Sequence, residues 1–183
     1  MQFIGGEHTG AAAAFPELFR GRKVVLAPEP ETDADATTRV VAMWEATGAS
    51  VALMRAARHD SIFATVSHLP HLLAFALVEE LALRPDAPEY FAFAAGGFRD
   101  FTRIASSSPE MWRDLALANR DAPLAELRVY RNQPGRMERM LAESDGEGLG
   151  PLLGPARAAR DEWLAGPGWP LPGTHWALLC PLP

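Results

Sequence analysis

The sequence predicts a mainly α protein, with a partial α/β segment at its N-terminus and an all-helical region after it. Three observations carry that prediction. Two short apolar runs, "KVVLA" at 23–27 and "SVALMR" at 50–55, flank a single helical stretch, and strand, helix and strand within about thirty residues is a βαβ signature. From Asp60 the pattern changes to helices only. The last stretch, "GPGWPLPGTHWALLCPLP", is too rich in proline and glycine for a helix. The chain divides accordingly into residues 1–58, 59–165 and 166–183.

Taken in order, Gln2–Ile4 reads as a strand end and 23–27 as the first full strand, closed by the punctuation "PEPETD". A helix follows from about Asp33, with Val40, Val41, Met43 and Trp44 as its apolar residues, and Gly48 stops it. The strand at 50–55 completes a parallel pair. Parallel sheets need more strands than two, so this segment reads as the end of a larger α/β domain. Asp60 or Ser61 caps the next helix, which runs to about Leu83 with Pro70 kinking or breaking it. "RPDAP" at 84–88 is a loop, and Gly96–Gly97 loosen or break the helical segment that starts at Tyr90. Ser108 is an N-cap with Pro109 at the first helical position, for a helix to about Asp121. Further helices cover Leu124–Ala142, despite "QPG" at 133–135, and Leu152–Leu164.

Composition narrows the function. The 183 residues are 48% hydrophobic and 22% charged, as in a soluble globular chain able to bury a core. The net charge of −6 excludes the basic face of a nucleic-acid groove. Cys180 is the single cysteine, which fits a reducing compartment. "MQFIGGEHTG" has no signal-peptide pattern, and the apolar stretch Ile62–Val78 is too short and too polar for a ~20-residue membrane span. The expected location is the cytoplasm.

Two groups of residues invite chemistry. His68 and His71 are three apart around Pro70, in an otherwise apolar run, and share a helical face. They read as a metal pair lacking further ligands, or as core histidines satisfied by hydrogen bonds, or as groups facing a polar ligand. No metal site is assigned. Arg99 and Arg103, four apart, lie on one helical face with Asp100 beside them. An arginine fork is the natural partner of a carboxylate, and Gly96 and Gly97 allow close backbone approach.

The strings "VSHLPHLLAFALVEELA", "FAAGGFRDFTRIASSSPEMWRD" and "LANRD" closely resemble the helical domain of prephenate/arogenate dehydrogenases. The resemblance extends upstream through "GGEHTG" and "LFRGRKVVLAPEPET" and more weakly downstream to "ARAARDEWL", roughly residues 3–164. It implies that residues 1–58 are a Rossmann-type remnant of a dinucleotide-binding domain and that 59–165 form a helical substrate-binding and dimerisation domain. It implies an NAD- or NADP-dependent oxidative decarboxylation of prephenate or arogenate in tyrosine biosynthesis, by a homodimer. Residue by residue, it places Arg103 on a substrate carboxylate, His71 on the substrate side and His68 beside it as an orienting group. Trp112 closes the pocket, Glu7, Arg99 and Asp100 form a charged group at its mouth, and Thr9 and Gly10 lie in the entering loop.

Two departures from the family pattern stand out. No glycine-rich strand-to-helix turn for a pyrophosphate is present, since "GG" at 5–6 and at 96–97 does not fit one. The family's His-Pro pair ahead of the "G-x-E-x-S/T-G" loop, which carries the general base, is also missing. His8 follows Glu7 and does not take that role. No catalytic residue is assigned, and the chain is expected to be the substrate-side half of the enzyme, inactive alone. The alternatives are a non-catalytic helical dimerisation module derived from that family and a metal-binding helical protein built on His68 and His71.

Overall fold

The computed structural model describes residues 15–165. It is mainly helical. Strands β1 (Lys23–Leu26) and β2 (Ser50–Leu53) pair in parallel, Lys23 opposite Ser50 through Leu26 opposite Leu53. Helix α1 (Ala34–Ala46) connects them, and the Asp33 carboxylate caps it by accepting the Ala36 N–H at 2.6 Å. Gly48, with φ +82°, turns the chain into β2. A β-carbon there would lie 3.3 Å from the Arg20 backbone, a tight approach, and the positive φ strains any side chain as well. Val24, Val25, Ala49 and Ala52 are buried. Of the apolar residues foreseen on α1, Val41 and Trp44 are half-buried, whereas Val40 and Met43 are exposed. Thus α1 has one face on the sheet and another bare.

The helical region departs from expectation first at its long helix. Asp60 and Ser61 cap nothing. The helix α2 (Ala56–Phe63) begins earlier, behind the extended Arg55, whose carbonyl accepts the His59 N–H at 3.0 Å. The Asp60 carboxylate instead takes the His59 Nδ1–H. Nor does Pro70 break the rod. A π-helical turn at Ala64–His68 precedes α3 (Leu69–Ala82), and helical structure is continuous over 27 residues from Ala56 to Ala82. The Leu69 N–H reaches back five residues to the Ala64 carbonyl. In a regular α-helix the Pro70 ring would collide with the carbonyl four residues earlier. One wider turn removes the collision, so the proline is absorbed. The rod is therefore longer than its apolar stretch suggested, and by length and composition it meets the criterion for a membrane span.

Other boundaries shift for local reasons. Helix α4 (Ala87–Ala92) ends before the glycines, the chain is non-helical at 93–95, and Gly96–Gly97 open α5 (Gly96–Thr102) instead of breaking a helix. A 3₁₀ turn, Arg103–Ser106, leads to α6 (Pro109–Ala118), where Ser108 Oγ accepts the Met111 N–H at 3.2 Å as foreseen. The stretch expected as one helix is two, α7 (Asp121–Tyr130) and α8 (Asn132–Ala142). Pro134 sits in the first turn of α8, where a missing N–H costs no helical bond. At the end of α8, Ser144 takes the left-handed conformation, φ 53°, and the Asp145 N–H bonds the Met140 carbonyl at 2.8 Å, a Schellman closure. The Asp145 carboxylate then caps α9 (Gly146–Ala165) through the Gly148 N–H, so α9 starts earlier than expected. α3 packs against α4, α5, α7 and the 3₁₀ turn, while α9 packs chiefly on α8.

Candidate functional site

The π turn places His68 and His71 at the junction of α2 and α3, under α6. Trp112, 5% exposed, reaches down from α6. The His71 ring stacks on the Trp112 ring with centroids 3.6 Å apart and planes 20° from parallel, and His68 meets the same indole edge-on at 6.0 Å. α6 is tied down at its far end by Asn119, whose side-chain amide donates to the Asp60 carbonyl at 3.3 Å. Histidine–tryptophan contact and tether together fix α6 over the rod.

The two imidazoles differ in their bonding. His71 Nδ1 lies 2.8 Å from the Ser67 carbonyl. A carbonyl only accepts, so Nδ1 carries the proton and His71 Nε2 is left as an acceptor. Burial pushes the His71 pKa below its ordinary value, with the Arg103 charge adding to the shift and the Ser67 bond opposing it. His68 is 7% exposed, and burial lowers its pKa too. The neighbouring His59 and His71 reinforce that shift, and Asp60 opposes it. Both rings are thus held neutral near neutrality. The site presents a neutral imidazole acceptor beside a permanently cationic guanidinium, an arrangement suited to an anionic ligand that also carries a hydroxyl.

The structure brings His68, His71 and Trp112 together and sets Arg103 close enough for its charge to act on His71. Arg103 closes α5 at the start of the 3₁₀ turn and is exposed, as are Arg99 and Asp100 on α5. No ion pair joins these three among the described residues. Glu7, Thr9 and Gly10 lie outside the described residues. Among those residues no group of three or more histidine, cysteine or acidic side chains gathers as a metal site.

Three participants escaped the sequence reading: His59, Asp60 in its side-chain role, and Asn119. The His59 ring stacks on Phe63 at 4.4 Å and donates Nδ1–H to Asp60 Oδ1 at 3.0 Å. The adjacent pair "HD" at 59–60 was the available signal, since aspartate next to histidine commonly fixes a tautomer.

A family model described as prephenate dehydrogenase, dimerization domain, matches residues 55–154. The cyclohexadienyl dehydrogenase of Zymomonas mobilis is 35% identical over 147 residues, covering 79% of this chain and 50% of that protein. This chain belongs to the prephenate dehydrogenase family. The prephenate dehydrogenase of Bacillus subtilis is 35% identical over 167 residues, 87% of this chain and 45% of its own length. The crystal structure of prephenate dehydrogenase from A. aeolicus, in complex with hydroxyphenyl propionate and NAD+, superposes with a TM-score of 0.80 at 35% identity, covering 87% of this chain and 56% of that one. The chain spans about half the length of the curated relatives it matches (50% and 45%). This prephenate dehydrogenase family member shows the expected helical region behind a two-stranded parallel remnant.

Its described residues do not form a pyrophosphate cradle. Such a cradle uses glycines and a helix N-terminus after the first strand. The β1-to-α1 connection here is "APEPETD", with two prolines, no glycine, and Glu29, Glu31 and Asp33 repelling an anion.

Proposed function

We propose that this chain is the substrate-side and dimerisation half of a cytoplasmic prephenate or arogenate dehydrogenase, which oxidatively decarboxylates its substrate with NAD or NADP as hydride acceptor. The observation that carries the reading is the site built on the rod. A neutral His71 is locked by Ser67, covered by Trp112 and exposed to the field of Arg103. In this reading Arg103 binds the substrate carboxylate, His71 Nε2 accepts a hydrogen bond from the substrate, His68 orients the site and Trp112 shuts out water. Glu7, Thr9, Arg99 and Asp100 line the mouth. The domain limits at 58 and 165 belong to the same proposal.

A homodimer is part of it. α3 is apolar around most of its circumference, and Leu77 and Leu83 remain 40% and 77% exposed. A helix apolar on all sides needs burial on all sides. The match to a dimerization domain supports burying that surface against a second copy.

Hydroxyphenyl propionate, which the A. aeolicus enzyme binds, is the probe. Calorimetric titration should show the wild type binding it and Arg103→Lys binding it at least tenfold more weakly, because lysine keeps the charge and loses the two-pronged geometry. That corresponds to a loss of ~1.5–3 kcal/mol. Equal affinities would make Arg103 an ordinary surface charge. No binding by either protein would favour a non-catalytic helical module.

A further inference from the structure

α6 covers the site, yet it is lightly attached to what it covers. Trp112, Leu115, Ala116 and Asn119 recur along one side of it, at the spacing of a single helical face. Of these Trp112 is buried and the other three are half-buried. Among the described residues α6 makes few close backbone approaches to any other element. Two points tie it to the rod. Trp112 stacks on His71 at 3.6 Å, and Asn119, two turns further on, donates its side-chain N–H to the Asp60 carbonyl at 3.3 Å.

Those two points lie on opposite sides of the π turn at Ala64–His68. Asp60 is on α2 before it and His71 on α3 after it. α6 is therefore a brace across the place where the rod departs from regular helix. Its start follows the extended Ser107, while α7 leaves from the corner after Asn119 and packs on the π turn. With the far end pinned at Asp60, the direction of α6 carries Trp112 onto His71. One hydrogen bond adds little to a whole fold, but it can decide how a lightly packed helix lies.

We propose that Asn119 is a positioning residue of the site: its bond to Asp60 holds α6 at the angle that keeps Trp112 stacked on His71. It acts through Trp112. Without the donor, α6 pivots, the indole leaves the imidazole and water reaches His71. Burial is the main cause of the lowered His71 pKa; the Ser67 carbonyl opposes the shift and the Arg103 charge adds to it. His68 is the other titratable neighbour coupled to that ring. Ser67 and His68 stay on the rod, and Arg103 precedes α6 on a turn packed against α3, so the titration of His71 reports its cover. The consequence for a ligand rests on the dehydrogenase reading; the tether and the stack do not.

The test uses the full chain without ligand, with its histidines labelled for NMR. In the wild type the stacked indole shields the His71 ring protons, and their pH titration has its midpoint below 6.5. Asn119→Leu keeps the size and neutrality of the side chain and removes the donor. In that variant the His71 protons should lose most of their upfield displacement, and the midpoint should rise toward 6.5. Val25→Ala, a change at a buried position of β1, is the control. It should lower the melting temperature and leave both His71 readings in place. Unchanged His71 readings in Asn119→Leu would show that α7 alone holds α6 and would overturn the proposal, as would equal shifts in the control. Should Asn119→Leu not fold, Asn119→Ala takes its place under the same two readings. If neither folds, the wild-type Asn119 amide decides: solvent exchange as fast as in an exposed asparagine is fatal, and slow exchange upholds the tether. Asn119→Leu should also bind hydroxyphenyl propionate severalfold more weakly, and affinity equal to that of a binding wild type would overturn the role at the site. A wild type that does not bind it counts against the dehydrogenase reading and leaves the His71 readings to decide.

Discussion

Around the π turn, Trp112 and His68 are 5% and 7% exposed, whereas on α9 Trp163 is 51% exposed and Leu164 60%. The first region is knitted by contacts between elements distant in sequence: ring stacking from α6 and the Asn119 tether to α2. The second packs chiefly on the preceding α8, and its side-chain pairs lie within its own helix, with Arg157 and Asp161 paired at 3.4 Å and Arg160 lying 5.0 Å over the Trp163 ring. Helices without a packed face draw little stability from their own sequence. The contrast separates a region buried by contacts between distant elements from one whose large apolar residues stay exposed.

The largest effect expected from this contrast is at Trp112. Trp112→Ala should cost ~3–5 kcal/mol in urea denaturation, because it empties a buried site and uncovers His71. A cost near that of a surface change would erase the difference between the two regions.

Next comes pH. The folded pKa values of His68 and His71 are lowered, chiefly by burial. Between those values and the ordinary imidazole range the unfolded chain binds more protons than the folded one, so stability rises with pH there. It is fully present above the ordinary value of 6.5 and is lost as pH falls below it toward the folded values. The melting temperature should therefore drop on acidification below pH 6.5, and the drop should shrink in the double variant His68→Asn, His71→Asn. An equal drop in that variant would place the titration elsewhere.

The smallest effect is on α9. Trp163→Ala should change stability by no more than ~0.5 kcal/mol where the chain is monomeric. Light scattering during dilution locates that regime. A larger loss confined to the dimeric range would show that the partner covers α9, which sharpens the contrast; a large loss in the monomer would break it.

Much of this was legible in the sequence, and what was not has particular causes. The strands, α1 and the Ser108 cap follow from short-range rules, and "KVVLA", Asp33 and "SSSP" obey them. His68, His71 and Arg103 stood out by residue type and spacing, Trp112 and the roles of all four came from the family resemblance, and the structure brings His68, His71 and Trp112 into ring contact. His59 was passed over because a histidine at a helix start carries no periodic signal, and its stack on Phe63 and its bond to Asp60 appear only in the structure. Asp60 was misassigned because an acidic residue before an apolar run resembles a cap, and only the structure shows its carboxylate committed to His59. The α7–α8 junction failed for a similar reason, as Pro134 can end one helix or open another and its sequence context does not say which.

The widened turn has a consequence for how this chain tolerates changes in length. A residue accommodated in one wide turn leaves the faces of the flanking helices aligned as though it were absent. Homologous rods one residue shorter at 64–68 can therefore keep both faces in place with a regular helix, provided they lack a proline at the position of Pro70. Insertion and deletion at this spot become nearly silent for the outer surface and are felt only inside the turn. Ala64, with 0% exposure, and Val66, with 65%, mark the two sides of that turn. A gap in an alignment should fall most readily at Val66.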